Sequence, residues 1–170
     1  MPILVLFRHA KAAPALPDQR DFDRPLTERG RQDADRMGAV LAHYPIDQVL
    51  VSAAVRTQET WQGAAAKFET APPVDVDPEL YLAGGQKLVR RLRELQTTTR
   101  AAIVVGHNPD MHEIAVWLAG EDSGRIADAL RQRFPTAAAA IFELDIGSWN
   151  EIGPRRAKLQ RFVIAGELPS

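Results

Sequence analysis

A chain of 170 residues, 45% hydrophobic and 25% charged, has the make-up of a single ordinary globular domain spanning 1–170 and long enough to bury a core unaided. Its 21 Lys and Arg against 22 Asp and Glu leave a net charge of −1, which argues against a broad nucleic-acid surface. No cysteine is present, so disulfides and thiolate metal sites are excluded. With no basic leader and no apolar run of bilayer-spanning length, the expected setting is cytoplasmic, away from membranes.

Leu4-Val5-Leu6-Phe7, preceded by Ile3, reads as a strand buried on both faces. Arg8 and His9 arrive at its C-terminal end, where chemistry collects in open α/β sheets. Arg8 offers a planar fork of donors for phosphate or carboxylate, and His9 a nucleophile or general base. Ala10 to Pro25 is irregular, broken by Pro14, Pro17 and Pro25. A loop this long is more often functional than idle.

Thr27 has the character of an N-cap, with Glu28 in the first turn and Met37, Val40, Leu41 and Tyr44 at helical spacing up to Pro45. A second strand is expected over Gln48 to Val51. Ser52 to Arg56 then turns into a helix carrying Trp61, Ala65 and Phe68 on one side. Val74 to Val76 is a short third strand, and Asp77 to Gly85 is irregular. Leu88, Leu92 and Leu95 mark an amphipathic helix.

Ala101 to Val105 is a fourth apolar strand, followed by Gly106-His107-Asn108-Pro109. Asn108 as N-cap and Pro109 at the first helical position predict the next helix, with Ile114, Trp117 and Leu118 on its buried face and Gly120 as its stop. A helix over Arg125 to Arg133 and strands over Thr136 to Leu144 and Lys158 to Ile164 complete the chain. Strands alternating with helices predict a three-layer α/β/α domain, with a mostly parallel sheet and an antiparallel edge from the last two strands.

Three strand ends carry related equipment: Arg8-His9, then Ser52 and Arg56, then Gly106-His107. If these strands are parallel neighbours, two guanidiniums and two imidazoles meet on one rim. That makes a compact anion site in a chain of no general positive charge. A phosphoryl group suits it, because guanidinium pairs bidentately with phosphate oxygens. Helix N-termini near Ser52 and Asn108 add backbone donors.

Arg8-His9, the segment Arg24-Pro25-Leu26-Thr27-x-x-Gly30, Ser52-x-x-x-Arg56-x-x-x-Thr60 and Gly106-His107 together resemble the histidine phosphatase superfamily, which includes the cofactor-dependent phosphoglycerate mutases. The short chain and the opening Arg-His-Ala-Lys-Ala at 8–12 are most similar to its SixA-type phosphohistidine phosphatase branch. The resemblance covers residues 4 to 120. It implies a phosphoglycerate mutase-like fold and a phosphatase in which His9 attacks phosphorus and is itself phosphorylated. Arg8, Arg56 and His107 then surround the transferred group. It implies no cofactor and no metal.

Two departures stand out. The usual glycine after Arg-His is Ala10, as in SixA-like members, and would be strained if a positive φ were required there. The helical insertion that brings a proton-donating carboxylate in larger members has no counterpart in Pro72 to Gly85. Glu79 is the candidate donor, with a solvated loop carboxylate as the alternative. Arg24 and Lys11 are candidates to line the pocket, or else surface residues.

The expected substrate is phosphohistidine on a protein, since an open site admits something broad. Alternatives are a small phosphoester handled by the same chemistry or, in another class, a non-catalytic phosphate-binding module. A monomer is expected. His107 and His112 are five apart across a helix start and lack metal-helix spacing. Trp61 and Trp117 are expected in the core, and Trp149 carries no assignment.

Overall fold

The computed structural model describes residues 1–121 and 124–169. Within these residues, six strands form one sheet: β1 (Ile3–Arg8), β2 (Gln48–Ser52), β3 (Val74–Asp77), β4 (Ala101–Gly106), β5 (Ala138–Leu144) and β6 (Ala157–Ile164), in spatial order β3-β2-β4-β1-β5-β6. The first four run parallel. β5 is antiparallel to β1 and β6 antiparallel to β5. The expected antiparallel edge is therefore present, and it is hydrogen-bonded directly to the central strand. Among the described residues, five α-helices flank the sheet: α1 (Glu28–Leu41), α2 (Val55–Ala65), α3 (Gly85–Arg93), α4 (Asp110–Ala119) and α5 (Arg125–Gln132).

Strand alternation divides the core in two. Val5, Phe7, Val49, Val51, Ile103 and Val105 face α1 and α2, where they meet Met37, Leu41, Trp61 and Ala64. Leu4, Leu6, Ala102 and Val104 face the other way, onto Leu88 and Leu92 of α3, Ile114 and Leu118 of α4 and Leu130 of α5. With both faces covered, β1 and β4 need apolar residues at every position, which explains their unbroken hydrophobic runs. Each large side chain so buried stabilises the fold by about 1.5–3 kcal/mol.

Thr27 caps α1 as its sequence predicts, its hydroxyl accepting from the Gly30 N–H at 3.0 Å. Gly30 also permits a close approach, because a Cβ there would lie 2.3 Å from the Lys11 carbonyl oxygen. The loop leaving His9 is thereby seated on the start of α1, reinforced by the Thr27 N–H donating to the Lys11 carbonyl at 2.9 Å.

Two local expectations need correction, and one unassigned residue finds its place. Asn108 does not cap α4, which begins at Asp110; its side-chain amide donates instead to the Phe134 carbonyl at 2.9 Å. Trp117 is 36% exposed on the outer side of α4, since the buried face is filled by Met111, Ile114, Ala115 and Leu118. Trp149 is buried, its indole N–H donating to the Thr99 carbonyl at 3.0 Å.

Candidate active site

The register of the sheet assembles the site. Arg8 pairs with Gly106 across β1 and β4, and Val51 with Val105 across β2 and β4. Residues just beyond these pairs, His9, His107 and Ser52, therefore surface together at the carboxyl ends of three adjacent strands. The His9 N–H donates to the Gly106 carbonyl at 3.0 Å, tying one histidine segment to the other. The two imidazole centroids are 5.3 Å apart, and both side chains are buried.

Arg8, at the last position of β1, donates from one terminal nitrogen to the Phe134 carbonyl at 2.9 Å. Arg56, in the first turn of α2, is buried and donates to the Asp21 carbonyl at 2.7 Å and to Asp21 Oδ2 at 3.0 Å. Among the described residues, the Nε atoms of both arginines and Nδ1 of His107 are buried with no hydrogen-bond partner. Three donor-capable atoms left over in one cluster are what an oxyanion site requires, because each would otherwise be costly to bury. The sequence expectation that Arg8, His9, Arg56 and His107 converge describes the observed geometry.

Thr60, two turns into α2, links the pieces. Its hydroxyl accepts from the Ala10 N–H at 3.0 Å and donates to the Arg56 carbonyl at 2.6 Å. Ala10 is fully buried and is not among the non-glycine residues with positive φ, which are Asp18, Leu82 and Ala137. The alanine after Arg-His is therefore accommodated without backbone strain. Strain appears instead across the site at Ala137 (φ 57), whose N–H donates to the His9 carbonyl at 3.0 Å.

The electrostatics follow from this packing. Burial is the main cause that lowers the His9 pKa to about 3, with His107, Arg56 and Arg8 adding to it and the hydrogen bond that the ring donates to the Ala10 carbonyl opposing. His107 is lowered to about 4, chiefly by burial and then by Arg56, with Asp21 opposing. Both rings are neutral at pH 7. His9 Nδ1 lies 2.7 Å from the Ala10 carbonyl oxygen, which can only accept. The proton therefore resides on Nδ1, and Nε2 carries the lone pair. His107 Nε2 lies 2.8 Å from the Ser52 hydroxyl; if that hydroxyl donates, Nδ1 carries the hydrogen of His107.

The remaining sequence candidates fall differently. Arg24 donates to Asp21 Oδ1 at 3.0 Å and to the Ala13 carbonyl at 3.1 Å, so it braces the loop beside the site. Lys11 is exposed and joins the structure through its backbone. Glu79 is not brought to the cluster: its carboxylate is 74% exposed and pairs with Lys87 at 3.6 Å. It lies outside because the short 3-10 turn at Pro78–Leu80 buries Leu80 and turns its neighbour outward.

Two residues that sequence reasoning missed occupy the mouth instead. Asp21 accepts from Arg56, Arg24 and the Tyr81 hydroxyl, the last at 2.6 Å. Tyr81, then Arg56 and Arg24, hold the Asp21 carboxyl down at about 2. The Tyr81 ring stands edge-on to His107, 5.5 Å between centroids, with Phe22 edge-on to it at 5.1 Å.

A family model for the histidine phosphatase superfamily (branch 1) matches residues 4–81. A solved structure from Agrobacterium tumefaciens, provisionally assigned as the phosphohistidine phosphatase SixA, is 31% identical with a TM-score of 0.81, covering 96% of this chain and 99% of its own. The chain belongs to the histidine phosphatase superfamily. Within it, the likeness is to the SixA type. A second structure of that provisional assignment, from Nakamurella multipartitia, is 29% identical with a TM-score of 0.83, covering 96% of this chain and 95% of its own. An uncharacterized protein of Mycobacterium tuberculosis is 32% identical over 161 residues, covering 91% of this chain and 97% of its own length. As a histidine phosphatase, the protein is a phosphatase enzyme on the phosphoglycerate mutase-like fold.

Proposed function

We propose that this histidine phosphatase hydrolyses phosphohistidine on a protein substrate by way of a phosphoryl group carried on His9, with residues 1–170 acting as one catalytic domain. The observation that carries the reading is the contact between His9 Nδ1 and the Ala10 carbonyl. It leaves Nε2 as a lone pair, kept unprotonated at neutral pH by burial and the neighbouring cations.

Nε2 attacks phosphorus, and the bond to the leaving nitrogen breaks in line. Arg8 and Arg56 offer their unpartnered Nε–H groups to the equatorial oxygens, where negative charge spreads in the transition state. His107 donates from Nδ1 while Ser52 steadies its other nitrogen. Water then attacks the phosphorylated His9, releasing phosphate and restoring the imidazole. The reaction so written uses neither metal nor cofactor.

A protein substrate is supported by the shortness of the segment between β3 and α3, whose 3-10 turn at Pro78–Leu80 is too small to roof the site. It is also supported by the SixA assignment of the 31% identical structure. A small-ester substrate would need a proton donor for its alkoxide, and Glu79 is engaged with Lys87 instead.

The test is to offer a phosphohistidine protein and quench in alkali, where an N-linked phosphoryl group survives. Wild type is expected to carry alkali-stable, acid-labile phosphate that His9→Ala lacks, and to favour the phosphohistidine protein over sugar phosphates in kcat/KM. Full turnover by His9→Ala would overturn the covalent route. Preference for sugar phosphates would overturn the substrate.

A further inference from the structure

We propose that Tyr81 is a specificity-determining residue: its ring, clamped by Asp21, forms one wall of a leaving-group subsite that favours a flat ring over a ringless group. This rests on the function proposed above, whose leaving group is an imidazole.

Tyr81 lies between the phosphoryl-binding residues and solvent. Its centroid is 5.5 Å from that of His107, and the Arg56 Cζ sits 5.8 Å from it. Its hydroxyl is fixed on Asp21 Oδ2, and Phe22 meets it edge-on at 82°. A substituent on a phosphoryl group held by Arg56 and His107 must leave past this ring. The clamp joins two loops sixty positions apart, so the ring is in place before substrate arrives.

Asp21 explains why the subsite suits an N-linked ring. Arg24, Arg56 and Tyr81 all donate to its oxygens, and they hold it ionised. It has no proton to give. An imidazole protonated on its distal nitrogen needs none. As Nε2 of His9 bonds to phosphorus, the electron pair of the breaking P–N bond returns to the ring and cancels its charge. Neutral imidazole departs along Tyr81, and the proton it carried stays on its distal nitrogen.

The test uses four substrates: phosphoimidazole and phosphoramidate, N-linked with and without a ring, and p-nitrophenyl phosphate and acetyl phosphate, O-linked with and without a ring. Tyr81→Leu is expected to lower kcat/KM several-fold to about tenfold more for each ring-bearing substrate than for its ringless partner. Tyr81→Phe keeps the ring without the clamp and is expected to retain most of that ratio. Equal loss on all four substrates would overturn the proposal, leaving Tyr81 only a prop for Asp21. The ring ratio is read within each linkage class. Wild type failing on both N-linked compounds would therefore sink the proposed function alone, while the ester pair still reports on Tyr81.

Discussion

Two buried histidines kept neutral make the folded protein sensitive to acid in a calculable way. His9 falls from 6.5 to about 3 and His107 from 6.5 to about 4, and both side chains are buried. Between those folded values and 6.5 the unfolded chain binds more protons than the folded one, so stability rises with pH through that window and is lost on acidification. From pH 7.5 to pH 5 each histidine spans about 1.5 units below its unfolded pKa, or about 2 kcal/mol, and the pair about 4 kcal/mol. Asp21, held at about 2, loses its contribution only at lower pH and does not enter this window. Asp110 is raised by burial and acts in the opposite direction, which a comparison of variants cancels. Urea unfolding at the two pH values, without phosphate or sulfate, measures the effect. His9→Asn and His107→Asn should each shrink the pH-dependent loss by about 2 kcal/mol relative to wild type. If both variants lose as much as wild type, the rings are not neutral in the folded state and the lone pair assigned to His9 is wrong.

Sulfate does not titrate near neutrality, so its binding isolates the protein's own protons. With His9 and His107 neutral down to about 3 and 4, its affinity should stay flat from pH 8 to 6 with no buffer-dependent calorimetric heat, and strengthening with proton uptake across that range would refute the neutral His107 donor. Arg8→Lys keeps the charge but loses the fork that serves both the Phe134 carbonyl and the site. Its kcat should drop by about 10²–10³ in steady-state assays, the scale of losing one transition-state donor. Thr60→Val leaves the buried Ala10 N–H without its acceptor. Chemical denaturation should register about 1–3 kcal/mol of destabilisation. Gly30→Ala drives a Cβ onto the Lys11 carbonyl, and both Tm and kcat should fall as the loop after His9 is displaced.

The inner strands were legible because a sheet covered on both faces writes near-continuous apolar runs, and the four motif residues because each closely follows such a run or opens a helix. The Thr27 cap was legible for a similarly local reason: its hydroxyl reaches only three residues ahead. Asp21 and Tyr81 were not. Each lies in an irregular loop, and their partnership spans sixty residues with no periodicity to announce it. Glu79 drew attention by position alone, and a single 3-10 turn decided that Tyr81, two residues later, adjoins the site. Trp117 shows the limit of helical spacing, which finds an apolar stripe but not where its border falls. Ala137 left no trace in sequence either, since nothing about an alanine foretells a left-handed backbone.

The carbonyl of Phe134 receives both Arg8 and Asn108, so the turn between α5 and β5 acts as a bracket for the first guanidinium. That bracket is electrically neutral, unlike the carboxylate beside Arg56. Freezing the long Arg8 side chain is thus completed during folding, with its charge left uncancelled for an incoming oxyanion. Because the Phe134 ring is itself buried in the core, change in that turn, remote in sequence from every motif, would be felt in catalysis and in the fold together.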